Sequence, residues 1–120
     1  MRCTIVGIRN AGQLRDERIV IDVLEEMNLG DYLIFASKEL NDSKIDSSIE
    51  SPVWFPDITA VPGDRVVVYT REGSYRSAKT ESGGRIYFIY QGRSEPIFVD
   101  AAIGVVLLHA NDWEFVSKRY

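Results

Sequence analysis

The 120 residues suffice for one domain, and the composition of 45% apolar, 27% charged and 11% aromatic residues is that of an ordinary globular protein. A single cysteine excludes an internal disulfide, a cysteine-based zinc site and a dithiol redox motif, and a single histidine limits any imidazole chemistry to one group. The net charge of −4 argues against a protein whose whole surface attracts nucleic acid or anionic membrane.

Period-2 alternation and short β-branched or aromatic runs, each bounded by Gly, Pro, Asn or Asp, predict strands throughout. Cys3–Ile8 is the first, and Asn10-Ala11-Gly12-Gln13 turns the chain into Arg18–Val23. Asp22–Leu29 also fits a helix, but Asn28-Leu29-Gly30-Asp31 reads better as a turn before the strand Tyr32–Ala36. From Ser37 to Ser51 the residues are polar, which predicts a long surface loop with room for one helical turn. Val53-Trp54-Phe55 is a short strand. Val61-Pro62-Gly63-Asp64 has the pattern of a type II turn, with Gly where φ must be positive, and Arg65–Thr70 is the clearest strand of the chain.

Arg71 to Arg85 holds three glycines and no apolar anchor except Tyr75, so a mobile polar loop is expected. Ile86–Tyr90, Ile97–Val99, Gly104–Leu108 and Trp113–Val116 complete the set. The Gly104–Leu108 run is apolar enough for a central strand covered on both faces. About eight short strands spaced in this way fit an all-β sandwich or barrel, and no repeat or linker divides residues 1–120 into two domains. The first residues lack the apolar region of a secretory signal and no run approaches the length of a membrane helix, so a cytoplasmic protein without membrane contact is the expectation.

The segment from Trp54-Phe55-Pro56-Asp57 through Pro62-Gly63 to Arg65–Tyr69 resembles the centre of lamin-tail domains. Gly84–Gly92 with Pro96-Ile97-Phe98 resembles their aromatic strand and its successor, and Ala102–Leu108 their late apolar strand, with Gly104-Val105 standing where those domains carry Gly-Asp. The resemblance spans residues 17–116. It implies a single immunoglobulin-like β-sandwich acting as a binding or attachment module, without a catalytic site.

Residue chemistry agrees with a non-catalytic reading. His109 sits at a strand end, and Cys3, in an apolar strand, reads as a small core residue. Trp54 and Trp113 are expected in the core. Asp42, Asp46 and Glu50 recur every four residues but lack the density of a calcium loop, and Asn41-Asp42-Ser43 matches a glycosylation pattern that has no meaning without secretion. Asp57 and Asp64 are expected to accept bonds from turn N–H groups. Neither a metal nor a cofactor is implied.

Charge is uneven along the chain: residues 64–93 hold six Lys/Arg against three Asp/Glu. Within them Arg71, Tyr75, Arg76, Lys79 and Arg85 combine cations with an aromatic ring, a mixture that grips single-stranded nucleic acid or an acidic protein surface. Three functions follow for comparison. The first is protein binding through a sheet edge or loop, including a homodimer formed by edge-strand pairing; the second is nucleic-acid binding through the basic loop 71–85; the weakest is a small enzyme with a carboxylate-based site.

Overall fold

The computed structural model describes residues 1–41 and 44–119. In chain order the strands are β1 (Cys3–Arg9), β2 (Arg18–Val23), β3 (Met27–Asn28), β4 (Tyr32–Asn41), β5 (Lys44–Ile45), β6 (Glu50–Trp54), β7 (Thr59–Ala60), β8 (Arg65–Tyr69), β9 (Arg76–Lys79), β10 (Arg85–Tyr90) and β11 (Ile103–His109). One 3-10 turn, Leu29–Asp31, is the sole helical element among the described residues, so the fold is all-β. Among the described residues no helix is long and apolar enough to cross a membrane.

The first sheet has the order β1-β2-β8-β10-β9, antiparallel throughout except for the parallel pair β8 and β10. In the second sheet β4 is central, with β11 on one side and β5 and β6 on the other. β3 and β7 form a small ribbon. Alternation explains which side chains meet. Ile19, Ile21 and Val23 of β2 and Val66 and Val68 of β8 point to one side of the first sheet, and Tyr32, Ile34 and Ala36 of β4 to one side of the second. All of them join one core with Phe55, Ile97 and Phe98. Each large apolar side chain sequestered there contributes about 1.5–3 kcal/mol. Several sheets around a shared core are compatible with a β-sandwich.

The Pro62-Gly63 turn forms as the sequence predicts: Gly63 has φ +94°, and Asp64 N–H donates to Val61 C=O at 3.0 Å. Asp64, itself buried, accepts from Val61 N–H at 2.9 Å and from Arg85 N–H at 2.9 Å, tying the turn to the start of β10. Asp57 differs from expectation, because it accepts from the side-chain amide of Asn28 at 3.1 Å.

Among the described residues eleven strands form, and two that composition hides, β5 and β9, lie where the chain is polar. Residues 71–85 are not one loop: Arg76–Lys79 is β9, joined to β10 by a turn in which Thr80 N–H donates to Gly84 C=O at 2.9 Å. Ser37–Ser51 is likewise not a loop with a helical turn, since β4 runs to Asn41 and β5 and the start of β6 pair with it. Strands with solvent on both faces lack the apolar alternation by which strands are read. Asp42 and Ser43, and with them the three-acid series and the Asn41-Asp42-Ser43 pattern, lie outside the described residues. The helical alternative over Asp22–Leu29 is replaced by the end of β2, β3 and the 3-10 turn, which Asn28 caps by accepting from Gly30 N–H at 2.9 Å.

Four further expectations are overturned. Gly104–Leu108 belongs to an edge strand, β11, paired only with β4. Ile97 and Phe98 are buried, but their amides serve a carboxylate instead of a strand ladder. Trp113–Val116 forms no strand, and neither tryptophan is core: Trp54 is 50% exposed and Trp113 59%. The two indoles meet edge to face at 4.8 Å, and Trp54 Nε1–H donates to Gly30 C=O at 2.7 Å, so the polar edge of Trp54 is satisfied at the surface.

Candidate functional site

The outer face of the five-stranded sheet gathers arginine and aromatic side chains from distant parts of the sequence. Register places Arg9 of β1 beside Arg18 of β2, Arg18 beside Tyr69 of β8, and Tyr69 beside Tyr90 of β10. The two tyrosine rings stack at 5.2 Å with an interplanar angle of 11°. Arg71 lies against both, its Cζ at 4.9 Å from the Tyr69 centroid and 5.2 Å from that of Tyr90. Gly73 rests on the Tyr90 ring so closely that a Cβ there would enter it. In the next row Gly7, Val20, Val67, Phe88 and Arg76 are successive register neighbours, and Arg76 Cζ stands 3.9 Å from the Phe88 centroid. The Arg9 guanidinium folds back over Gly7.

The five residues selected from the basic segment therefore divide. Arg71 and Arg76 belong to this outer face. Lys79 and Arg85 are register partners one residue out of phase with Arg76, on the opposite side, where Arg85 Nη1 donates to Ser77 Oγ at 3.0 Å. Tyr75, half exposed, lies near Tyr87, whose phenol is pushed up by burial first, then by Asp64, with Tyr75 adding to the effect against the opposing pull of Arg85. Arg9 and Arg18 are far from the basic segment in sequence, and only strand register brings Arg18 to Tyr69 and Arg9 to Arg18.

The second sheet turns a different surface outward. Leu108 of β11, Leu33 of β4 and Trp54 of β6 lie in one cross-strand row, and Val106 and Phe35 in the next, with Trp113 on Trp54. The β11 edge beside them, Ile-Gly-Val-Val-Leu-Leu-His, carries no lysine, proline, formal charge or register shift. The other free edges are guarded. β1 has a register shift between Ile5 and Gly7 and carries Arg9; β9 is four residues long and carries Arg76 and Lys79; β5 is two residues long and carries Lys44; β6 contains Pro52 and pairs with a shift.

Glu17, Cys3, His109 and Ser37 are each held by other contacts. Glu17 is fully buried, a position that often marks a reactive acid. Its carboxylate accepts from Gly12 N–H at 2.8 Å, Thr70 Oγ–H at 2.5 Å, Ile97 N–H at 2.8 Å and Phe98 N–H at 3.0 Å. Burial pushes its carboxyl up, but those bonds outweigh burial and hold it below its ordinary value. Four donors occupy its lone pairs and leave none for a substrate. Cys3 is buried and its thiol is pushed up to about 11, chiefly by burial and against the pull of the N-terminus, so it stays a protonated core residue. His109, exposed at the end of β11, stacks on Tyr32 at 4.6 Å and 11°. A cleft of about 360 Å³ near Lys38, Asp46, Glu50 and Arg93 includes Ser37, but that hydroxyl donates to Asp46 C=O at 2.7 Å. Among the described residues no three His, Cys, Asp or Glu side chains gather as a metal site.

Comparison with protein-family models, with curated proteins and with solved structures finds no match to this chain.

Proposed function

We propose that this chain is a non-catalytic protein-interaction module that associates with a second copy of itself through β11. The carrying observation is the contrast among sheet edges: β1, β5, β6 and β9 are interrupted, short or charged, whereas β11 offers seven residues without any of these guards. An unprotected apolar edge is a template for another strand. β11 carries no formal charge, so antiparallel pairing with its own copy meets no like-charge repulsion. The same pairing sets two rows of Val106, Leu108, Leu33 and Phe35 side by side and enlarges the apolar face around Trp54.

Two sheets on one core, the Pro62-Gly63 turn into β8 and the aromatic β10 support a lamin-tail-like, immunoglobulin-like sandwich, an architecture suited to attachment instead of catalysis. The engaged state of Glu17, the buried thiol of Cys3 and the stacked ring of His109 support the same view.

Sedimentation equilibrium tests the association. The native chain is expected to form a dimer, and Val106→Lys, which sets a charge on the outer face of the edge strand, a monomer with unchanged circular dichroism. A native chain that remains monomeric across the accessible concentrations, or a Val106→Lys variant that still dimerises, overturns the proposal.

A further inference from the structure

We infer that the outer face of the β1-β2-β8-β10-β9 sheet is a binding surface for single-stranded nucleic acid, held at its phosphates by Arg9, Arg18 and Arg76. The inference is independent of association through β11, which lies in the other sheet.

The first support is an electrostatic arrangement that costs stability unless an anion relieves it. Arg9 and Arg18 are direct register partners, and like charges opposite one another destabilise a sheet. Among the described residues the sole salt bridge is Arg65–Asp22, at 2.7 Å, so no carboxylate answers Arg9, Arg18, Arg71 or Arg76. In a chain of net charge −4, cations concentrated on one face without acid partners make a local positive field.

The second support is how the cations are held. Arg76 lies on Phe88, Arg71 on the Tyr69–Tyr90 stack, and Arg18 Cζ is 5.8 Å from Tyr69. A guanidinium laid on a ring keeps its in-plane N–H edge for phosphate, and the ring restricts its freedom beforehand. Arg71 spends Nε on Arg15 C=O and Nη1 on Glu72 C=O, so it acts as a fixed charge. Arg9 and Arg76 donate to no protein group among the described residues. From β1 to β9 the face spans four strand spacings, roughly 19 Å, enough for a site of about four nucleotides. Guanidiniums laid on rings turn their outer faces to solvent, and a guanidinium plane stacks on an unpaired base, a contact that an acidic peptide does not make.

The test is fluorescence anisotropy with a labelled oligo-dT and oligo-U of about 20 nucleotides, with a duplex of equal length and polyglutamate as competitors. The native chain is expected to bind the single strands, with log affinity falling against log salt at a slope of about −2 for three phosphate contacts. Arg9→Gln, Arg18→Gln and Arg76→Gln should each flatten that slope by about 0.7, with unchanged circular dichroism, while Lys44→Gln on the second sheet has no effect. No binding at low salt, arginine variants that bind like the native chain, or an equal loss in Lys44→Gln overturns the inference. Equal competition by polyglutamate also overturns it and assigns the face to an acidic peptide. Equal competition by the duplex removes the single-strand preference and with it the stacking role given to the guanidiniums, and so overturns the inference as stated.

Discussion

The outward faces of the two sheets are produced by the same two-residue alternation, yet one carries arginines on aromatic rings and the other a run of Leu, Val, Phe and Trp. Behind both, the inward residues are interchangeable in kind: Ile21 and Val66 on one side, Ile34 and Ala36 on the other, all buried. Folding constrains the inner residues to be apolar and leaves the outer ones open, so outer faces are where the sheets differ in chemistry. The arginine face also depends on a buried device that the apolar face lacks. Glu17, directly before Arg18, binds the 12–17 turn, the end of β8 and the 97–98 segment into one hydrogen-bonded knot.

Breaking that knot should have the largest effect. Glu17→Ala strands three backbone N–H groups and the Thr70 hydroxyl, and is expected to lower stability by about 3–5 kcal/mol in urea unfolding. The knot also predicts acid sensitivity. Because the folded carboxyl is held below its unfolded value of about 4.3, its contribution is complete above that pH. It is lost as pH falls through the lower folded value, and a Glu17→Gln variant should lack this part of the acid response.

On the apolar face, Val106→Lys should weaken self-association by a factor of ten or more, about 1.4 kcal/mol, in sedimentation, while leaving the melting temperature of the monomer nearly unchanged. Trp54→Ala removes the partner of Trp113 and the bond to Gly30, and should cost about 0.5–1.5 kcal/mol, with a shift in the fluorescence of the remaining tryptophan. The smallest effect belongs to the exposed pair Arg65 and Asp22, 45% and 38% accessible at their side chains. Arg65→Ala should change stability by under about 1 kcal/mol, less still at high salt. An Arg65→Ala cost as large as that of Glu17→Ala would collapse the distinction between a solvated and a buried carboxylate.

Much of this fold is legible in the residues, and the exceptions share a cause. β1, β2, β8 and β10 declare themselves because one face of each is buried and the alternation is plain. β9 does not: Arg-Ser-Ala-Lys at an edge is solvated on both sides and reads as loop. β11 misleads in the opposite direction, since its apolar outer face imitates a strand covered on both sides while standing at an edge. Ile97 and Phe98 read as part of a short strand and not as partners of Glu17, 80 and 81 residues away, because no local pattern encodes so distant a bond. For the candidate site, Arg71 and Arg76 could be nominated from local composition, whereas Arg9 and Arg18 required register, and the same register removed Lys79 and Arg85.

The strand order β8-β10-β9 bears on how the protein assembles. Having finished β8, the chain must leave an empty lane beside it, lay down β9 one place further out, and return to fill the lane with β10. The β9–β10 hairpin closes through a five-residue local turn, Thr80–Gly84, so it is the unit able to form early. Its parallel docking against β8 spans more chain and is expected to come afterwards. The 71–75 strap can settle only once that lane is filled, since Gly73 rests on the ring of Tyr90. In a refolding experiment the tyrosine signal of the Tyr69–Tyr90 stack should therefore lag behind backbone hairpin formation, and the arginine face should be the last part of this sheet to reach its final form.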